Sequence, residues 1–214
     1  MNKNIILLRC KRNIEEYIKN NIYNYILIIL VFIIGIFAGI IVVNNFSNDK
    51  KEIINNYISA FFENFNNLND INQNKLLLNA LLNDLILTII LWVAGTTILG
   101  MPIVLSIILY RGFCLSYTIS SITLVIGCYK SIPFCFITLF LPNLLFIPAI
   151  LTIAVSSLKL YKSIIYEKNK DIVKNRLLGH FVITIIMFGI LMVASVVENI
   201  ISVYLLQIFK KYIM

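Results

Sequence analysis

From Tyr25 to Val43 the chain reads YILIILVFIIGIFAGIIVV, without one charged or amide side chain. A helix needs about 20 apolar residues to cross the ~30 Å hydrocarbon core of a bilayer. Inside that core every backbone N–H and C=O must bond within the protein, and a helix meets that demand by itself. This stretch commits the chain to a membrane. The remainder agrees: 60% of the 214 residues are hydrophobic and the mean hydropathy is +0.91, whereas soluble domains hold about 45–50% apolar residues. We expect a single polytopic domain over 1–214, all-α and integral to the membrane. It should have about five transmembrane helices, several kinked at Gly or Pro, with amphipathic interfacial helices at the N-terminus and between the first two spans.

Apolar runs place the spans at 25–43, 84–110, 113–128, 131–157 and 178–207. Gly35 and Gly39 in the first are spaced to let another helix approach closely. Between the first two spans, 44–83 is polar, yet Ile53, Ile54, Tyr57, Ile58, Phe61, Phe62 and Phe65 recur at helical spacing. That stripe must lie on the outer leaflet, on the protein's own spans or on a partner. The second run holds Gly100 and Pro102 and ends on Arg111-Gly112. Its length exceeds what a bilayer needs, and Pro102 cannot bond to the carbonyl of Ile98, so a kinked span closing on a tight turn is expected. Pro142 and Pro148 interrupt the fourth run, and Asn143 stands ready to satisfy a freed carbonyl.

Lysine and arginine exceed the acids, for a net charge of +8. The excess falls in two segments, 1–21 and 158–177, rather than on one folded face. That pattern points to anionic membrane lipid as the partner and not to nucleic acid. Residues 1–21 read as a basic interfacial helix and 158–177 as a basic loop, both cytoplasmic, with four crossings between them. This orientation leaves 44–83 and the C-terminus extracytoplasmic, although Lys210 and Lys211 then sit on the less favoured side.

Catalytic or metal chemistry finds little footing. Cys10, Cys114, Cys128 and Cys135 form no CxxC pair and read as small core hydrophobes. His180 lacks a nucleophile or acid at a recognised spacing and reads as an interfacial polar side chain. No phosphate-binding or dinucleotide fingerprint is present. The expectation is a protein that is not an enzyme, with no cofactor and no metal. Arg111, at the cytoplasmic end of 84–110, can reach lipid phosphates. Glu198 would lie near the opposite boundary, so a direct pair between the two is not expected.

Several stretches in order resemble the stage II sporulation protein M family of endospore-forming bacteria. GIFAGIIVVNNFSNDKKEIINNYISAFF (35–62) leads from the first span through Asn44 into the amphipathic segment. LWVAGTTILGMPIVLSIILYRGFCLSYT (91–118) is similar to the family's Trp-x-x-Gly, Gly-x-Pro and Arg-Gly-Phe series, here Trp92, Gly95, Gly100, Pro102, Arg111, Gly112 and Phe113. LPNLLFIPAI (141–150) carries Pro142, Asn143 and Pro148, and VVENIISVY (196–204) carries the terminal acid, Glu198. Ser116 stands where the family has Gly, Leu141 precedes Pro-Asn without the usual Gln, and Ser202 replaces a common Pro.

The resemblance implies a non-enzymatic membrane scaffold at the sporulation septum. It would anchor the engulfment proteins that remodel peptidoglycan, stage II sporulation proteins P and D, and could be a homo-oligomer. Partner contacts are expected on Tyr57, Phe61, Phe62 and Phe65. The alternative is a small transporter or permease-like subunit. A transporter requires a polar cavity converging on Glu198, Asn143 and Arg111; a scaffold requires a drier core and an outer apolar groove.

Overall fold

A computed structural model describes residue 12 and residues 15–64, 73–97 and 99–213. Every described element is a helix. The chain runs α1 (Ile22–Asn44), α2 (Asn48–Asn64), α3 (Gln73–Thr96), α4 (Gly100–Ile126), α5 (Cys128–Cys135), a π-helical turn (Phe136–Phe140), α6 (Leu141–Tyr166) and α7 (Lys170–Ile213). Five stretches are long and apolar enough to cross a membrane: Ile22–Asn44, Leu77–Thr96, Gly100–Ile126, Asn143–Tyr166 and Lys170–Asn199. Most of the basic segment 1–21 lies outside the described residues; 15–20 is helical.

The helix bounds correct the sequence reading in three places. First, 84–110 is not one kinked span. α3 ends at Thr96, and α4 begins at Gly100 and runs unbroken through Arg111 and Gly112 to Ile126. The reason is local. Pro102 falls in the first turn of α4, where a missing N–H leaves no intrahelical bond unmade. Gly100 has no side chain to strike the carbonyl of Ala94 in the preceding helix. The breakers separate two helices instead of bending one.

Second, 113–128 is therefore the distal half of α4 and not a span of its own. Gly127, at φ +85°, then turns the chain into α5, a conformation that suits a residue without Cβ. The fourth run, 131–157, is likewise redistributed over α5, the π turn and α6. The π turn directly precedes Pro142, where the regular bonding pattern must fail. Asn143 Nδ2 donates to the Leu139 carbonyl at 2.6 Å and satisfies an acceptor there.

Third, 158–177 is not a loop. α6 continues to Tyr166, and the link to α7 is only 167–169. Lys and Arg are good helix formers, so the basic segment extends both helices. Asn169 Oδ1 accepts from the Asp171 backbone N–H at 2.9 Å, which caps the start of α7.

α6 is the centre of the bundle. Half of its apolar window is buried, against 22–28% for the other spans, and it contacts α1, α3, α4 and α7. Ile150, Ile153, Ala154 and Leu158 of α6 meet Ile28 of α1, Leu91 of α3, Ile108 of α4 and Leu191 of α7 in one core. Outward-facing Leu30, Ile34 and Phe37 of α1, and Val182, Ile185 and Ile186 of α7, are exposed, as lipid-facing positions should be.

Residues Tyr17 and Asn24 meet the basic 158–177 segment at one end of the bundle. Lys162 Nζ donates to Asn24 Oδ1 at 2.7 Å, and the Lys159 ammonium lies 5.1 Å from the centre of the Tyr17 ring.

Candidate functional site: a charged cleft inside the bundle

The closest helix contact is α1 on α4. A Cβ on Gly35 would fall on the Leu109 carbonyl, and one on Gly39 would strike Ser116 Oγ and lie 2.6 Å from the Phe113 carbonyl oxygen. In return, Gly112 leaves room for the Phe32 carbonyl of α1. Glycines on both helices thus bring the two backbones together, as small residues do between membrane helices. Phe113 stacks on Tyr117 at 5.8 Å, and Asn44 is the last residue of α1.

A second small-residue contact joins α3 to α6 and α7. A Cβ on Gly95 would meet Ser157 Cα at 3.0 Å and His180 Nε2 at 3.1 Å. Ser157 Oγ donates to the Leu91 carbonyl across that contact at 2.8 Å. His180 is not an interfacial side chain: it is 2% exposed, and its Nδ1 lies 2.9 Å from Ser156 Oγ. Trp92 packs edge-on to Phe181 at 6.1 Å. Together these two rings wall an apolar groove of about 270 Å³ between α3 and α7.

Between these contacts all five spans line a cleft of about 300 Å³. α3 supplies Asn83 and Asp84, α4 supplies Arg111 and Thr118, α6 supplies Asn143, and α7 supplies Ser195 and Glu198. The short link between α3 and α4, residues 97–99, explains the convergence. Asp84 lies twelve residues before the end of α3 and Arg111 eleven after the start of α4. At 1.5 Å per residue both stand about 17–18 Å from the turn, so an antiparallel hairpin sets them at one depth. Arg111 is consequently mid-span and not at a helix end, and it shares the cleft with Glu198.

Within the cleft Ser195 Oγ donates to Asp84 Oδ2, and Asp84 is 6% exposed. The Arg111 guanidinium sits over the Phe146 ring at 4.9 Å, and its charge acts on both Asp84 and Glu198. Glu198 is exposed at the rim and Arg111 half-buried. Two carboxylates facing one guanidinium leave an excess of negative charge when both are ionised. Such a set can hold a cation or pass a proton, and it can equally receive a donor from another helix. No group of three or more side chains able to hold a metal ion occurs among the described residues.

Pro148 lies inside α6, where Thr152 Oγ1 donates to its carbonyl at 2.8 Å. Of the residues expected to meet partners, Tyr57 is 76% exposed on α2. Phe61 and Phe62 fall within α2, and Phe65 lies outside the described residues.

Five apolar helices packed through small residues around a charged centre define a multi-pass α-helical membrane protein. The chain belongs to the stage II sporulation protein M family, whose model matches residues 28–203. No curated protein and no solved structure matches it. It is a membrane protein related to sporulation.

Proposed function

We propose that this chain is a non-enzymatic membrane scaffold of sporulation. It anchors peptidoglycan-degrading engulfment proteins, stage II sporulation proteins P and D, at the septal membrane. The family match across most of the chain carries this reading. The exposed apolar side chains Ile53 and Tyr57 on α2 are in keeping with a partner surface. In this reading the basic end of the bundle is cytoplasmic, in line with the excess of Lys and Arg there, and α2 and the C-terminus are extracytoplasmic.

A pull-down from detergent-solubilised sporulating cells tests it. The wild type should retrieve the two partners, and a Tyr57→Asp/Phe61→Asp variant that still accumulates in the membrane should lose them. A wild type that retrieves neither partner would sink the scaffold.

A second reading, a small transporter or permease-like subunit, is favoured by one observation. The cleft brings Arg111, Asn143 and Glu198 together, the convergence that transport would require. Glu198→Gln separates the readings. A variant that assembles with its partners yet blocks engulfment assigns the cleft a task beyond anchoring; one that supports normal engulfment removes transport.

A further inference from the structure

At the basic end, a second pocket of about 310 Å³ opens between α6, α7 and the 15–20 segment. Its polar lining holds Lys159 from α6 and Arg176 from α7, with Ser156, Asn175 and His180 beside them. No carboxylate lines it among the described residues. Tyr17 closes one side: its ring lies under the Lys159 ammonium, and its buried hydroxyl faces Ser156 without completing a hydrogen bond there. Two cations lining one pocket, with the unpartnered Tyr17 hydroxyl beside them and no acid among the described lining residues, suit an anionic ligand. Like charges repel unless a counter-charge lies between them.

The aliphatic side chains of Leu160, Ile172 and Ile183 also line the pocket, the last two on the same face of α7 as Arg176. Cations and aliphatic side chains lining one pocket match an amphiphile better than a free ion. Basic pockets between membrane helices commonly take anionic lipid headgroups. The geometry points to a specific site for the phosphate of an anionic phospholipid, held by Lys159, Arg176 and the Tyr17 hydroxyl, with its glycerol and upper acyl carbons against Leu160, Ile172 and Ile183. This site is separate from the charged cleft and does not depend on the scaffold reading.

The test uses the purified full chain in detergent, titrated with short-chain phosphatidylglycerol, short-chain phosphatidylcholine or inorganic phosphate while thermal unfolding is followed. Phosphatidylglycerol should raise the unfolding temperature of the wild type, and the other two should not. Lys159→Gln/Arg176→Gln should weaken that response roughly 30-fold, on the usual worth of two basic contacts to anionic lipid. Lys159→Arg/Arg176→Lys should restore it. Arg176 is exposed, so Arg176→Gln alone serves if the double variant does not fold. Lys168→Gln/Lys174→Gln, which removes the same charge outside the pocket, should leave the response unchanged. An equal loss in that control, an unchanged response in the pocket variants, or equal stabilisation by phosphatidylcholine would overturn the site. Equal stabilisation by inorganic phosphate would overturn the lipid as its occupant.

Discussion

Ser195 of α7 donates its hydroxyl hydrogen to a carboxylate oxygen of Asp84 on α3, joining two helices more than a hundred residues apart in the chain through one buried bond. Removing the donor leaves the acceptor in place and unsatisfied. Ser195→Ala should lower unfolding stability in detergent by about 1–3 kcal/mol, the range for an orphaned buried partner. Asp84→Asn/Ser195→Ala should lose less than the two single variants added together. Strict additivity across that cycle would show that the bond carries no coupling.

Glycines of this chain divide by what surrounds them. Gly35 and Gly39 have α4 backbone against them, whereas Gly189 has nothing within 4 Å. Gly35→Ala and Gly39→Ala should each destabilise the bundle by about 1–3 kcal/mol, as overpacking does. Gly189→Ala should be neutral or stabilise by about 0.5–1 kcal/mol, since Ala favours a helix. Thermal unfolding of the three variants side by side decides it.

Arg111 supplies the cleft's only cation among the residues that line it. Arg111→Gln should reduce the amount of folded protein recovered from membranes, because two carboxylates then face each other uncompensated. Adding Glu198→Gln should restore part of the loss. A double variant no better than Arg111→Gln alone would show that the guanidinium acts through its place on Phe146 instead of its charge.

Side-specific labelling checks the hairpin. In a cysteine-free background, Leu99→Cys and Lys168→Cys should react with an impermeant thiol reagent from one side of the membrane. Tyr129→Cys, beyond the far end of α4, should react from the other. Were 84–110 a single span, position 99 would be shielded within the bilayer.

The helical membrane class, the first span and the close approach at Gly35 and Gly39 were legible in the residues, because apolar length and small-residue spacing are local properties. The cleft was not, and one boundary accounts for that. Reading Gly100-x-Pro102 as a kink moved the end of the second span to Arg111 and sent that charge to a helix end. Yet a glycine followed by a proline two residues on also reads as one helix ending and another beginning. Leu77, Leu78, Leu81 and Leu82 offer the apolar residues needed to start the second span earlier. That shift alone brings Asp84 and Arg111 to one depth. Ser195 and the burial of His180 carried no sequence signal, since only the packing of α7 on α3 and α6 reveals them.

The short link between α3 and α4 also bears on how the chain reaches its membrane. Three residues leave little room for one helix to settle in lipid while the other waits in water, so the two should enter the membrane as one unit. With Asp84 and Arg111 at one depth, the hairpin should carry opposite charges into the bilayer together, before α6 and α7 have been made, at less cost than either charge alone.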